Sequence, residues 1–110
     1  MSEEFKPERA LVIVAHPDDP EFSAGGTIAR WTDAGIEVTY VIVTDGSKGT
    51  DDTTIGKDEL VAMRVQEQQA AAAVLGVRHV VFLGHTDGEI VPDLALRREL
   101  VKVIRQYRPD

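Results

Sequence analysis

One short stretch, Ala15-His16-Pro17-Asp18-Asp19-Pro20-Glu21, gathers an imidazole and three carboxyls directly behind an apolar run. Phosphate-binding loops at such a position use Gly-x-Gly-x-x-Gly so that backbone amides can approach pyrophosphate. Here Gly25-Gly26 arrive about a helical turn later, and the preceding acids would repel an anion. A cation suits the stretch better. Neutral imidazole and carboxylate are good zinc donors, and catalytic zinc commonly keeps three protein ligands and one open position. Two of those three can come from this segment. The plainer alternative is that Asp19 caps a helix with Pro20 at its first position, Asp18 is solvated, and His16 merely ends a strand.

Other residues carry weaker signals. Arg64 could grip hydroxyls, a carboxylate or a phosphate with its planar donors, or simply pair with Glu67 three residues on. Asp87-Gly88 reads locally as a turn, but it follows an apolar run and can reach a crevice there. His79 reads as a packed or edge histidine, and His85 as a strand-exit residue that could in principle ligate metal. Ile28 and Trp31 read as packing, Asp51-Asp52 as solvated, and Thr44-Asp45-Gly46 as pocket lining with no assigned role.

Residues 10–15, 38–43 and 77–83 run apolar and β-branched between turn signals, as strands covered on both faces do. Helical spacing follows each: weakly over 22–34, clearly through Leu60, Met63, Ala70, Val74 and Leu75, and again through Leu100, Ile104 and Tyr107. Gly35 and Gly76 stand where the first two helices should stop. Strand-helix repeated three times predicts parallel strands with right-handed crossovers, in a doubly wound, Rossmann-like α/β sheet. In that arrangement residues 16–21, 44–52 and 84–90 leave the sheet along one edge, where open α/β sheets bind ligands. The polar connection over 44–59 is long for such a fold.

Composition narrows the chemistry. With 43% hydrophobic and 28% charged residues, the 110-residue chain reads as one compact domain. No apolar run approaches the roughly 20 residues of a membrane helix, and residues 1–9 do not resemble a signal peptide, so a cytoplasmic setting is expected. Without cysteine, any metal must be held by His and carboxylates. A net charge of -7 disfavours nucleic acid and anionic membranes, and leaves a small neutral or cationic partner.

The acidic stretch, followed by Phe22-Ser23-Ala24-Gly25-Gly26-Thr27-Ile28, resembles the signature of the LmbE-like deacetylases, relatives of the N-acetylglucosaminyl-phosphatidylinositol deacetylases. The resemblance continues through Val43-Thr44-Asp45-Gly46 with Lys48-Gly49, Arg64-x-x-Glu67, Phe82-Leu83-Gly84 with Asp87-Gly88, and Arg108-Pro109-Asp110. It implies that His16 and Asp19 ligate zinc, that Asp18 is the general base, and that Arg64 and Asp87 contact substrate, the last two on a looser fit. It also implies that residues 1–110 are the N-terminal half of the domain, because the family's later histidine motif, source of the third ligand, is absent from them. The expected reaction is hydrolysis of an N-acetylglucosamine-type acetamide, and homo-oligomers are common among such enzymes. An inactive fragment or assembly module with the same fold, and a nucleotide-binding α/β module, are the alternatives. If the outer neighbour of the first strand lies beyond Asp110, the chain alone should self-associate and lack activity.

Overall fold

The computed structural model describes residues 7–48 and 54–110. Gly49, Asp51 and Asp52 lie outside the described residues. Three strands and three helices alternate: β1 (Arg9–Val14), α1 (Asp19–Asp33), β2 (Glu37–Thr44), α2 (Lys57–Val74), β3 (His79–His85) and α3 (Leu94–Tyr107). The strands form a parallel sheet in the order β1-β2-β3, with Val12 opposite Tyr40 and Tyr40 opposite Val80. This is the arrangement of a doubly wound α/β sheet, as its alternating pattern predicts.

Burial divides the strands. β2, at the centre, is covered on both faces: Val38, Tyr40, Val41 and Ile42 are fully buried. Residues Val38, Tyr40 and Ile42 share one face and form the core with Ile28 of α1, Ala72 of α2 and Val77. Trp31 packs against this cluster, so the Ile28-Trp31 pair is core as expected. The expectation of two covered faces fails for the outer strands, where Ile13 of β1 is exposed and β3 is only partly buried. An edge position gives each of them a single neighbouring strand.

Helix registers differ from the spacing in instructive ways. Helix α1 begins at Asp19, earlier than its apolar spacing indicates, and breaks at Ala24, just before Gly25-Gly26. On α2, Leu60 is buried as expected, but Met63, Ala70 and Val74 face outward, Val74 being 84% exposed. The inner face is completed instead by Gln68 and Ala72. Alanines on every side of this helix leave apolar spacing with little to discriminate. On α3, Val103 is the buried residue, whereas Ile104 points outward.

Strand β3 starts at His79 and continues two residues past its predicted end, because it carries a bulge. Ile42 pairs with Phe82 but Thr44 pairs with His85, so β3 holds one extra residue over that interval. Gly84 lies there with φ +75, a conformation that costs glycine little. The end of the described chain returns to β1: Asp110 donates its amide to the Arg9 carbonyl, and its carboxylate accepts the Glu8 and Arg9 amides.

Candidate metal and substrate site

The segment between β1 and α1 folds into a tight turn. Asp19 donates its amide to the His16 carbonyl, Pro17 follows His16, and Asp18 has φ 71 and ψ -15. Those angles match the third residue of a type II turn, a place that favours glycine. Asp18 is also the residue that precedes the helix, so the cap falls on Asp18 and not Asp19. Its side chain makes no capping hydrogen bond.

The two adjacent carboxylates diverge. Asp19 turns back on His16: its Oδ2 accepts the His16 amide at 2.9 Å and lies 3.3 Å from Nδ1. Asp18 points to α2, where its Oδ2 lies 3.5 Å from the Arg64 guanidinium. Arg64 also pairs with Glu67 at 3.4 Å, so the two sequence readings of this arginine coexist.

The third strand exit closes on the first. Asp87 is only 7% exposed. Its Oδ1 is 3.0 Å from His16 Nε2, and its Oδ2 accepts the Lys48 amide at 3.0 Å. The imidazole is thus flanked by carboxylates at both ring nitrogens. Asp45 couples the second and third exits, because its Oδ1 accepts the amides of Ser47 and Asp87. Partial burial pushes the Asp45 carboxyl up, but the hydrogen bonds from Ser47 and Asp87 and the charge of Lys57 outweigh it, and the group sits below its ordinary range. Thr44, buried beside it, ties β2 to the Ala15 carbonyl through its hydroxyl. Gly46 passes under Pro17 with φ +67, and a β-carbon there would lie 3.0 Å from Pro17 Cδ. Of the segment that sequence reading left without a role, Gly46 lines the cavity, while Thr44 and Asp45 tie the loops around it together.

These elements enclose a cavity of about 480 Å³ lined by His16, Asp18, Asp19, Arg64, Asp87, Lys48 and Phe22, among others. All five residues singled out from the sequence converge on it. Sequence reading missed Phe22, 90% exposed at its rim, and Gln68, buried beneath Asp18. The available signal for Gln68 was its spacing of four from Arg64, which places both on one helix face. The remaining histidines lie elsewhere. His79 is an edge residue paired with Glu37 at 3.1 Å and tilted against Tyr107, and His85 pairs with Glu99 of α3. Among the described residues no three His, Asp or Glu side chains converge closely enough to hold a metal ion.

The same residues locate the chain among known proteins. It is 41% identical to the diacetylchitobiose deacetylase of Thermococcus kodakarensis over 93% of its own length and 38% of that protein's. It is 30% identical to a probable N-acetyl-alpha-D-glucosaminyl L-malate deacetylase 2 of Bacillus anthracis, covering 96% of this chain and 49% of that one. The chain thus spans less than half the length of these relatives. Among solved structures it matches the N,N'-diacetylchitobiose deacetylase of Pyrococcus horikoshii with a TM-score of 0.93 at 38% identity, over 96% of this chain and 39% of that one. The 4-carboxy-2-hydroxymuconate hydratase of Pseudomonas putida KT2440 superimposes with a TM-score of 0.84 at 28% identity, over 93% of this chain and 44% of that one. A family profile described as GlcNAc-PI de-N-acetylase covers residues 11–110, and the chain belongs to that family, PIG-L.

Proposed function

We propose that this chain supplies the general base and two metal ligands of a hydrolase that removes acetyl from an N-acetylglucosamine-type substrate. The observation that carries the reading is the divergence of Asp18 and Asp19 into one cavity, the first toward Arg64 and the second toward His16. The similarity to named N-acetyl sugar deacetylases supports the substrate class. The hydratase shows that the fold hosts other chemistry, so the fold alone does not select the reaction.

The donor set fits a divalent ion such as zinc. His16 Nδ1 and Asp19 Oδ2 stand 3.3 Å apart, and an imidazole nitrogen beside a carboxylate oxygen is a donor pair that would hold such an ion. A carboxylate behind the other ring nitrogen, as Asp87 provides, is the usual device for orienting a ligand imidazole. When bound, zinc would supply Lewis acidity that eases deprotonation of water and offsets charge on the amide oxygen. Asp18 accepts the proton from the attacking water as its oxygen bonds to the acetamide carbon. It returns that proton to nitrogen as the carbon–nitrogen bond breaks, giving acetate and the free amine. Arg64 and the remaining lone pairs of Asp87 face the same cavity and bind sugar hydroxyls. The chain acts in the cytoplasm, as part of a homo-oligomer.

Metal titration and acetate release on the full-length protein test the reading, using unaltered protein, His16→Ala and Asp19→Ala. The expected result is zinc binding that both substitutions weaken, together with loss of acetate release. Unchanged zinc affinity in both variants removes the proposed ligands, and an active protein that needs no metal removes the mechanism.

A further inference from the structure

We propose that Gln68 is a positioning residue for Asp18: its side-chain carbonyl holds the Asp18 amide and thereby keeps the Asp18 carboxylate aimed into the cavity. The functional part rests on the reading of Asp18 as the proton acceptor. The structural part stands on geometry alone.

Asp18 occupies a left-handed conformation that an L-residue adopts at a cost and glycine does not. The turn's own hydrogen bond, Asp19 amide to His16 carbonyl, is long at 3.3 Å. Support comes from α2, where Gln68 Oε1 accepts the Asp18 amide at 2.6 Å. Gln68 is fully buried, so water does not compete for that oxygen.

Its orientation is fixed at the far end. Gln68 Nε2 donates to Glu21 Oε1 at 3.0 Å. Flipping the amide would set its NH2 against the Asp18 N–H and its oxygen against the Glu21 carboxylate, repulsive at both ends. Glu21 is backed by Tyr40 of β2, whose phenol burial and the nearby carboxylate hold far above its ordinary range. Arg64, one helical turn before Gln68, reaches the Asp18 carboxylate. Helix α2 therefore grips Asp18 twice, by its amide and by its carboxylate.

Backbone amide exchange followed by NMR tests the clamp. In the unaltered full-length protein the Asp18 amide should be protected, and in Gln68→Met, which keeps the volume and loses both polar bonds, it should exchange about tenfold faster. The amides of Tyr40 and Ile42 should keep their protection. An unaltered Asp18 amide that exchanges like that of an exposed residue overturns the proposal without any variant, as does unchanged or uniformly lost protection in Gln68→Met. In the Asp18→Gly background, where positive φ is free, Gln68→Met should lower the urea midpoint less than in the parent; an equal or greater loss counts against the clamp. In the full-length protein Gln68→Met should lower kcat about tenfold with KM within about twofold, whereas a rise in KM at unchanged kcat overturns the positioning role. Absence of deacetylation in the unaltered full-length protein would defeat the functional reading alone, and the amide data would still decide the clamp.

Discussion

The interior around β2 and the strand ends above it are built on opposite terms. At β2 every residue from Val38 to Thr44 is buried, and Val38, Tyr40 and Ile42 meet Ile28 and Ala72 in ordinary packing. A few residues away, Asp18 sits in a conformation suited to glycine, and His16 is squeezed between two carboxylates. The interior lowers the free energy of the fold, and the site draws on it. Substitutions should therefore separate into those that unfold the protein and those that silence it.

The largest effect on folding is expected from Ile28→Ala, which removes a fully buried side chain from the core and should cost about 2–5 kcal/mol by urea denaturation. Leu94→Ala on α3, where the side chain is 54% exposed, should cost no more than about 0.5 kcal/mol. Similar losses at the two positions would mean that the core does not centre on β2.

Asp18→Asn should lower acetate release by the full-length protein about 10²-fold or more while leaving zinc affinity and the urea midpoint nearly unchanged. Loss of metal together with activity would move Asp18 among the ligands.

A smaller effect is expected from acid. The Asp45 carboxyl lies below its ordinary value of 3.8, so its contribution to stability is complete above that value and is lost as pH falls through the lowered folded value. Asp45→Asn should lower stability at neutral pH and flatten the acid side of the profile below about pH 4, so that variant and parent converge as pH falls. A profile of unaltered steepness would show that Asp45 does not link the second and third loops.

The smallest effect is expected where the two regions meet. The Tyr40 hydroxyl and Glu21 Oε2 are both buried without a hydrogen-bond partner among the described residues. Tyr40→Phe removes a hydroxyl that no ordinary hydrogen bond holds but that lies beside the Glu21 carboxylate, so stability should stay within about 1 kcal/mol of the parent. A large loss would reveal a bond between Tyr40 and Glu21.

The same division explains what the sequence discloses. The three strands and the helix order are legible because β2 and its flanks are dense in β-branched residues. The burial of α2 is not, since Gln68 enters the interior while Val74 leaves it, and an alanine-rich helix has no face that stands out. At the site, His16, Asp18 and Asp19 are legible because they are contiguous and together unusual. The pairing of His16 with Asp87 joins residues 71 positions apart and depends on two loops meeting, so no local pattern announces it. Gln68 escaped because a glutamine four residues after an arginine is ordinary on any helix.

The bulge in β3 turns chain length itself into a determinant of the site. Side chains alternate between the faces of a strand, so the extra residue near Gly84 resets the parity of all that follows on that strand. His85 can then pass its carbonyl to the Asp45 amide, and two residues later Asp87 can meet His16. Thr86 and Glu89 are free to vary in chemistry far more than this interval is free to vary in count, whereas Gly88, at φ +81, favours glycine. A deletion at Gly84 would shift the register by one and carry the Asp87 carboxylate away from the imidazole, with every residue of the candidate site still present in the chain.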